Sequence, residues 1–263
     1  MAAIEAADGF VSYRKGGWGQ DTLIARRLRE WLGNDYFLAI DSVSYYVSNA
    51  EKLDGLSAYH RAVTDARLES ISWYFIYGEP EAVEVLHKLG GVRRLHYSGR
   101  MTVDVMRRIG EFPLESLVLQ GNDFSNQSIR HLASLQELKQ LDLGTDKPDR
   151  MIPYIAQLKS LERLSFIMSD TLGAAEIREL RTLTKLKSLK FFSGYPPNFI
   201  QAIAEQFPAL EELGLWNIDD PAVVAPLATH PSLKFIEILG GEYQHTATIE
   251  KLLPRVTVGH FYE

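Results

Sequence analysis

The apolar pattern L-x-x-L-x-L recurs along this chain at a nearly constant step, and self-similarity at such a step excludes most folds at once. It fits Leu68/Ile71/Trp73, Val92/Leu95/Tyr97, Leu114/Leu117/Leu119, Leu138/Leu141/Leu143 and Leu161/Leu164/Phe166. It continues through Leu186/Leu189/Phe191, Leu210/Leu213/Leu215, Leu233/Ile236/Ile238 and a shorter last unit, Leu253/Val256/Val258. The middle residues are separated by 24, 22, 24, 23, 25, 24, 23 and 20 positions. All nine triplets are fully apolar in a chain that is 46% hydrophobic, so chance does not compete. Between triplets the apolar residues return at a helical period. Ile129, Leu132 and Leu135 share one face behind Ser125, a suitable N-cap; Val83, Leu86 and Leu89 do so behind Glu79-Pro80-Glu81. Pro196-Pro197-Asn198 opens a helix over Ile200, Ile203 and Phe207, and Asp219-Asp220-Pro221 opens another. Neither a short strand nor a short helix buries its apolar side alone, so stacked neighbours must make one continuous core.

Over residues 68–263 this pattern resembles the leucine-rich repeat family, in the form without cysteine-bonded end caps, as in cytoplasmic bacterial-like members. The resemblance implies an α/β fold: a right-handed solenoid, or horseshoe, with a concave parallel β-sheet and convex helices, built from eight to nine repeats. One family feature is thin. The asparagine three residues past the third apolar position is present at Asn122, whereas the other repeats carry Ile76, Arg100, Asp146, Ser169, Gly194, Ile218 and Gly241. Turn backbone groups then need other partners, which predicts irregular strand-to-helix loops.

The residue after each first apolar position reads Glu69, Arg93, Glu115, Lys139, Glu162, Lys187, Glu211, Lys234, alternating in sign throughout. On parallel strands in register this column sets opposite charges side by side, a structural role. The residue after each third apolar position faces the concave side and reads Tyr74, Ser98, Gln120, Gly144, Ile167, Phe192, Trp216, Leu239. Its second half is four large apolar groups on adjacent strands, flanked by Phe235 and Met168, a strip on the order of 15 Å long. Contiguous exposed apolar surface marks an interaction site, unless a loop such as Ser193–Pro197 or a C-terminal segment covers it. A second, basic surface gathers Arg93, Arg94, His96 and Arg100 near Arg107 and Arg108.

Residues 1–67 read as an N-terminal capping region, with an amphipathic helix over 20–33 and a degenerate first repeat or hairpin over 36–47. At the other end, Arg255–Glu263 reads as the closing edge strand. Without cysteine, both ends must close by packing, and thiolate metal sites and cysteine nucleophiles are excluded. The first residues carry no basic-then-apolar leader pattern, and no apolar run approaches the roughly 18 residues of a membrane span. A net charge of -6 argues weakly against nucleic acid as the main partner.

Seven histidines are present without an H-E-x-x-H or close pair, so no zinc site is expected. Arg14-Lys15-Gly16-Gly17-Trp18-Gly19 places lysine before the glycines, the reverse of a phosphate loop, and no G-x-S-x-G occurs. Asp146/Asp149 and Asp219/Asp220 lack the spaced ligands of a calcium loop. The expectation is therefore a cytoplasmic, monomeric, non-enzymatic module without cofactor or metal that binds another protein, not nucleic acid or membrane. Its partner-binding residues would be Ile167, Phe192, Trp216, Leu239, Phe235, Arg93, Arg94 and His96, in a scaffold, an inhibitor or a toxin neutraliser. The alternatives are a hydrolytic enzyme centred near His96 with a carboxylate such as Asp142, or a structural self-assembler pairing through its terminal strand.

Overall fold

The computed structural model describes residues 4, 7–13, 40–48, 52–67, 72–78, 80–167, 172–192, 196, 198–239 and 245–261. The helix expected over 20–33 and the charge-column residue Glu69 lie outside them, as do Met168 and most of the Ser193–Pro197 loop. The chain divides into two compact units, Met1–Ser98 and Gly99–Glu263.

In the first unit, β1 (Phe10–Tyr13) runs antiparallel to β2 (Ile40–Val47). β2 is parallel to β3 (Ser72–Tyr77), and β3 to β4 (Arg94–Ser98). Helices α1 (Leu53–Asp65) and α2 (Pro80–Leu89) follow β2 and β3. Alternation along the strands sends Tyr45 and Val47, Tyr74 and Ile76, and Leu95 and Tyr97 into the core, each at most 2% exposed. Helix α1 packs on that side, its Tyr59 ring 5.0 Å from Tyr45 and 5.5 Å from Tyr74. The buried phenols find polar partners: Tyr45 donates to the Lys52 carbonyl at 2.8 Å, and the Tyr74 hydroxyl lies 2.7 Å from His60 Nδ1. Burial pushes the Tyr97 hydroxyl up to about 12, keeping it neutral.

The first expected triplet needs correction. Tyr74 and Ile76, not Ile71 and Trp73, stand opposite Leu95 and Tyr97, a shift of three residues. The run Trp73-Tyr-Phe-Ile-Tyr77 is apolar on both faces, so a two-residue period cannot choose its inward side. Tyr74 is accordingly in the core, and Tyr77 takes its place beside Ser98.

The second unit contains β5 (Ser116–Gln120), β6 (Gln140–Gly144), β7 (Arg163–Ile167), β8 (Ser188–Phe191), β9 (Glu212–Trp216), β10 (Phe235–Leu239) and β11 (Thr257–Phe261). All pair parallel and in chain order. The middle leucines form one register line, Leu117, Leu141, Leu164, Leu189, Leu213 and Ile236, each at most 1% exposed. The line ends at Val258, not the expected Val256, which restores the short last step to 22 residues. Between strands the chain forms α3 (Val103–Gly110), α4 (Asn126–Ile129), α5 (Ile152–Ile155), α6 (Ala174–Glu179), α7 (Phe199–Gln206) and α8 (Thr246–Leu252). Short 3-10 segments extend or replace several of these, the longest over Pro221–Thr229, where Pro226 interrupts an α-helical ladder. The Phe199 ring of α7 meets Phe191 of β8 at 4.7 Å, which puts the helix on the leucine side of the sheet.

Local signals behave as the sequence pattern anticipates. Ser125 and Ser128 form a reciprocal capping box, and the Asp220 carboxylate accepts from the Ala222 amide at 2.9 Å. Asn122 Oδ1 accepts from the Asp146 amide, tying one turn to the next at 3.1 Å. The alternating charges pair as expected: Lys139 with Glu115 at 3.0 Å, Lys187 with Glu162 at 3.6 Å and Lys234 with Glu211 at 2.6 Å. They are exposed and so individually weak, but they sit on an unbroken backbone chain. The amides of Lys139, Glu162, Lys187, Glu211 and Lys234 each donate to the carbonyl of the preceding column residue at 2.8–2.9 Å.

His230 closes the turn before β10. Its Nδ1 accepts from the amides of Ser232 at 3.3 Å and Leu233 at 3.0 Å, so Nε2 carries the proton and donates to the Phe207 carbonyl at 3.0 Å. Burial holds its pKa below the ordinary 6.5. The native state then takes up a second proton, on Nδ1, less readily than the unfolded chain does, so the stabilisation is complete above about pH 6.5 and lost as pH falls below it. Urea midpoints measured from pH 7.5 to pH 5 should fall more steeply for the native protein than for His230→Ala; parallel curves would contradict this role.

Candidate interaction surface

Residues that alternate with the core leucines point away from the helices and form three rows across the second unit. The first runs Ser116, Gln140, Arg163, Ser188, Glu212, Phe235 and Thr257; the second Val118, Asp142, Ser165, Lys190, Gly214, Glu237 and Gly259. The third begins Gln120, Gly144, Ile167, passes Phe192 just beyond β8, and reaches Trp216 and Leu239.

Trp216, the last residue of β9, is 38% exposed, and its ring lies 6.0 Å from that of Phe192 at a 36° tilt. The Phe192 amide donates to the Phe166 carbonyl at 3.0 Å, which extends the strand ladder to it. Ile167 is half-buried beside this pair. Leu239, expected at the exposed end of the strip, is instead 2% exposed. Its δ-carbon leans toward β9 at Gly214, where an added Cβ would come within 3.2 Å. Phe235 is half-buried with its ring folded over Gly259, where a Cβ would meet it at 2.5 Å. Gln120 lies likewise over Gly144 and Lys190 over Gly214. Glycine on this face leaves room for a neighbour's side chain to lie flat, a relation between strands that one strand's sequence does not show.

The second row carries the charge. Lys190 Nζ crosses β9 above Gly214 and meets Glu237 Oε2 at 2.5 Å. Asp142 accepts from Gln140 Nε2 at 2.9 Å. Burial pushes its carboxyl above the ordinary range, outweighing the hydrogen bonds of Gln140 and Ser165 and the pull of Lys190 and Arg163. Lys190 and Glu237 are not among the residues expected from sequence, although each stands between two core positions, in Leu189-Lys-Phe191 and Ile236-Glu-Ile238.

The expected basic cluster divides. Arg93, Arg94 and His96 belong to the first unit, Arg100, Arg107 and Arg108 to the second. In the second unit Arg100 pairs with Asp123 at 2.7 Å, and Arg107 and Arg108 meet Glu111 at 3.1 and 3.9 Å. His96 lies against the Phe75 and Tyr77 rings at 5.3 and 5.4 Å. No group of three or more histidine and carboxylate side chains among the described residues is arranged to hold a metal ion. An open groove of about 440 Å³ between α7 and the 221–229 turns is lined by Pro196, Phe199, Val223 and Pro226, apart from the three rows. No described helix is long and apolar enough to cross a membrane.

No family model matches the chain, and no curated protein matches it. Among solved structures, it is similar to internalin C2 of Listeria monocytogenes str. 4b F2365, with 19% identity over 76% of this chain and 80% of that one and a TM-score of 0.44. An internalin (inlF) of the same strain gives 15% identity over 90% and 75%, with a TM-score of 0.46. TLR13, in its complex with ssRNA13, gives 17% identity over 80% of this chain but 34% of its own length, with a TM-score of 0.45. From β5 to β10 each step of 23 to 25 residues delivers one parallel strand, two buried apolar positions and one helical segment. The chain has the leucine-rich-repeat fold.

Asp142 stands between the core residues Leu141 and Leu143, and a carboxyl raised by burial there opposes folding at neutral pH. Asp142→Asn keeps the Gln140 hydrogen bond and removes that cost. Its urea midpoint at pH 7 should exceed the native one, the gain shrinking once acid protonates Asp142; a lower midpoint at pH 7 would show that the carboxylate stabilises the fold.

Proposed function

We propose that this leucine-rich-repeat chain is a non-enzymatic protein-binding module that receives its partner on the helix-free face of the second unit. Ile167, Phe192 and Trp216 are the anchors, with Leu239 and Phe235 as the supporting floor. The observation that carries this is the exposed Trp216 ring beside Phe192, on strands whose register is fixed by the core beneath. Aromatic side chains with a rigid backbone lose little entropy on binding and dominate interface energies. An array of parallel strands also offers an extended surface, which suits a macromolecule better than a small substrate. Arg93, Arg94 and His96 supply a second contact in the first unit. The module acts as a cytoplasmic monomer without cofactor, in the manner of a scaffold, an inhibitor or a toxin neutraliser; the cysteine-free composition fits a reducing compartment.

Phe192→Ala combined with Trp216→Ala tests the site. Both side chains lie outside the leucine line, so the urea midpoint should stay close to native. Capture of the host partner should weaken by at least about 30-fold, the loss of a single hot-spot residue. Equal capture by native protein and a folded double variant would contradict the assignment.

A further inference from the structure

β11 is an end strand of the sheet and pairs with β10 on one side, parallel and without a break over Thr257–Phe261. The Thr257 amide donates to the Lys234 carbonyl at 2.8 Å, so the backbone groups of Thr257, Gly259 and Phe261 serve β10. Those of Val258 and His260 point the other way and have no partner among the described residues. Val256 stands at the next position of the charge column. The earlier column carbonyls, from Glu115 to Glu211, each accept two amides of the following repeat, whereas the Val256 carbonyl accepts none from the described residues.

Sheet edges are ordinarily blunted by shortness, a bulge, proline or charge. β1, the end strand of the first unit, is four residues long and its pairing shifts register between Ser12 and Tyr13. β11 has none of these devices: Thr-Val-Gly-His-Phe contains no proline, acid, lysine or arginine, and its five residues pair without a bulge. The core beside this edge is open as well. Interior residues of the leucine line are at most 1% exposed, whereas Val256 and Val258 are half-buried and Leu252, at the end of α8, is 36% exposed. On the helix-free side the Phe235 ring lies over Gly259, so the surface that carries Trp216 on β9 runs on to this edge, about 10 Å away.

We propose that β11 receives an extended segment of the partner protein as an added strand, with an apolar residue of that segment facing α8 beside Val258. The segment's backbone pairs with Val258 and His260, its apolar residue continues the leucine line, and its other side meets the edge of the Phe235 ring. Main-chain bonds of this kind supply affinity, and the alternate side chains supply selectivity. A helix does not fit, because its own ladder uses the amides and carbonyls that the edge requires. That the segment belongs to the partner rests on the binding reading above, since a protein seated at Trp216 has the edge within reach; the chemistry of the edge does not depend on Phe192 or Trp216.

The test is a titration of the full chain with two fluorescent probes: a short lysine-flanked peptide of alternating threonine and valine, and the same peptide with proline at its two central positions. The first should bind below about 1 mM and at least about tenfold more tightly than the second, which cannot pair along either edge. Val258→Pro and, separately, His260→Pro each remove one outward amide and leave the bonds to β10 in place. Each folded variant, checked by its urea midpoint, should bind the first peptide at least about tenfold more weakly. Phe192→Ala/Trp216→Ala should bind it as the native chain does, which separates failure here from failure of the Trp216 site. Equal binding of the two peptides, no binding of the first by about 1 mM, or native binding by a folded proline variant would overturn the proposal. So would a dimer, seen by sizing with light scattering, that either proline variant converts to monomer, because the edge would then belong to a second copy.

Discussion

Each strand of the second unit depends on the backbone of the strand before it. A four- or five-residue strand has too little apolar surface to fold alone, and the helical turns behind it are shorter than an isolated helix can be. Hydrogen bonding to the preceding repeat aligns Leu141 with Leu117 and Leu164 with Leu141, and each new leucine then closes against a prepared wall. The bond from each column residue to the previous carbonyl, Lys139 to Glu115 and onward to Lys234, begins this alignment just before each strand. The alternating charges act at the same place. Slipping one repeat by a residue would unpair an ion pair and turn a buried leucine outward together.

The same alternation produces the proposed binding surface. Whatever stands between two core positions must face away from the helices, so the face is written by residues outside the leucine line. Evolution is free to place Trp216, Lys190 or Glu237 there, and the core line is indifferent to the choice. Glycine adds a second level of control: Gly214 lets Lys190 reach Glu237 across a whole strand and lets Leu239 sink from view. Asp142 shows the opposite tension, a carboxylate kept where burial opposes its charge.

The fold was legible because few architectures return a leucine triplet every 22 to 25 residues, and because the charge column repeats the same register independently. Legibility failed at both ends of the array. Trp73-Tyr-Phe-Ile-Tyr77 is apolar at every position, and only pairing with Leu95 and Tyr97 decides that Tyr74 and Ile76 go inside. That ambiguity hid the outward position of Phe75 beside His96, since a register anchored on Trp73 sends Phe75 inward and Tyr74 outward. At the last repeat, Val256 and Val258 offered two registers, and pairing with Ile236 selects Val258. Phe192 and Trp216 could be located because their repeats are regular. Leu239 is 2% exposed because it leans on a glycine one strand away, a relation its own strand does not show.

Inter-repeat backbone pairing at the charge column sets the register on which the core and the three outward rows of the second unit depend. Amide hydrogen exchange at Lys139, Glu162, Lys187, Glu211 and Lys234 tests it most directly. These amides precede regular strand pairing and lie under exposed side chains, so a loop without a structural role would exchange quickly. Protection comparable to that of Leu141 and Leu164, and lost in the same urea range, is the expected result. Rapid exchange at the column, with the leucine amides still protected, would contradict it.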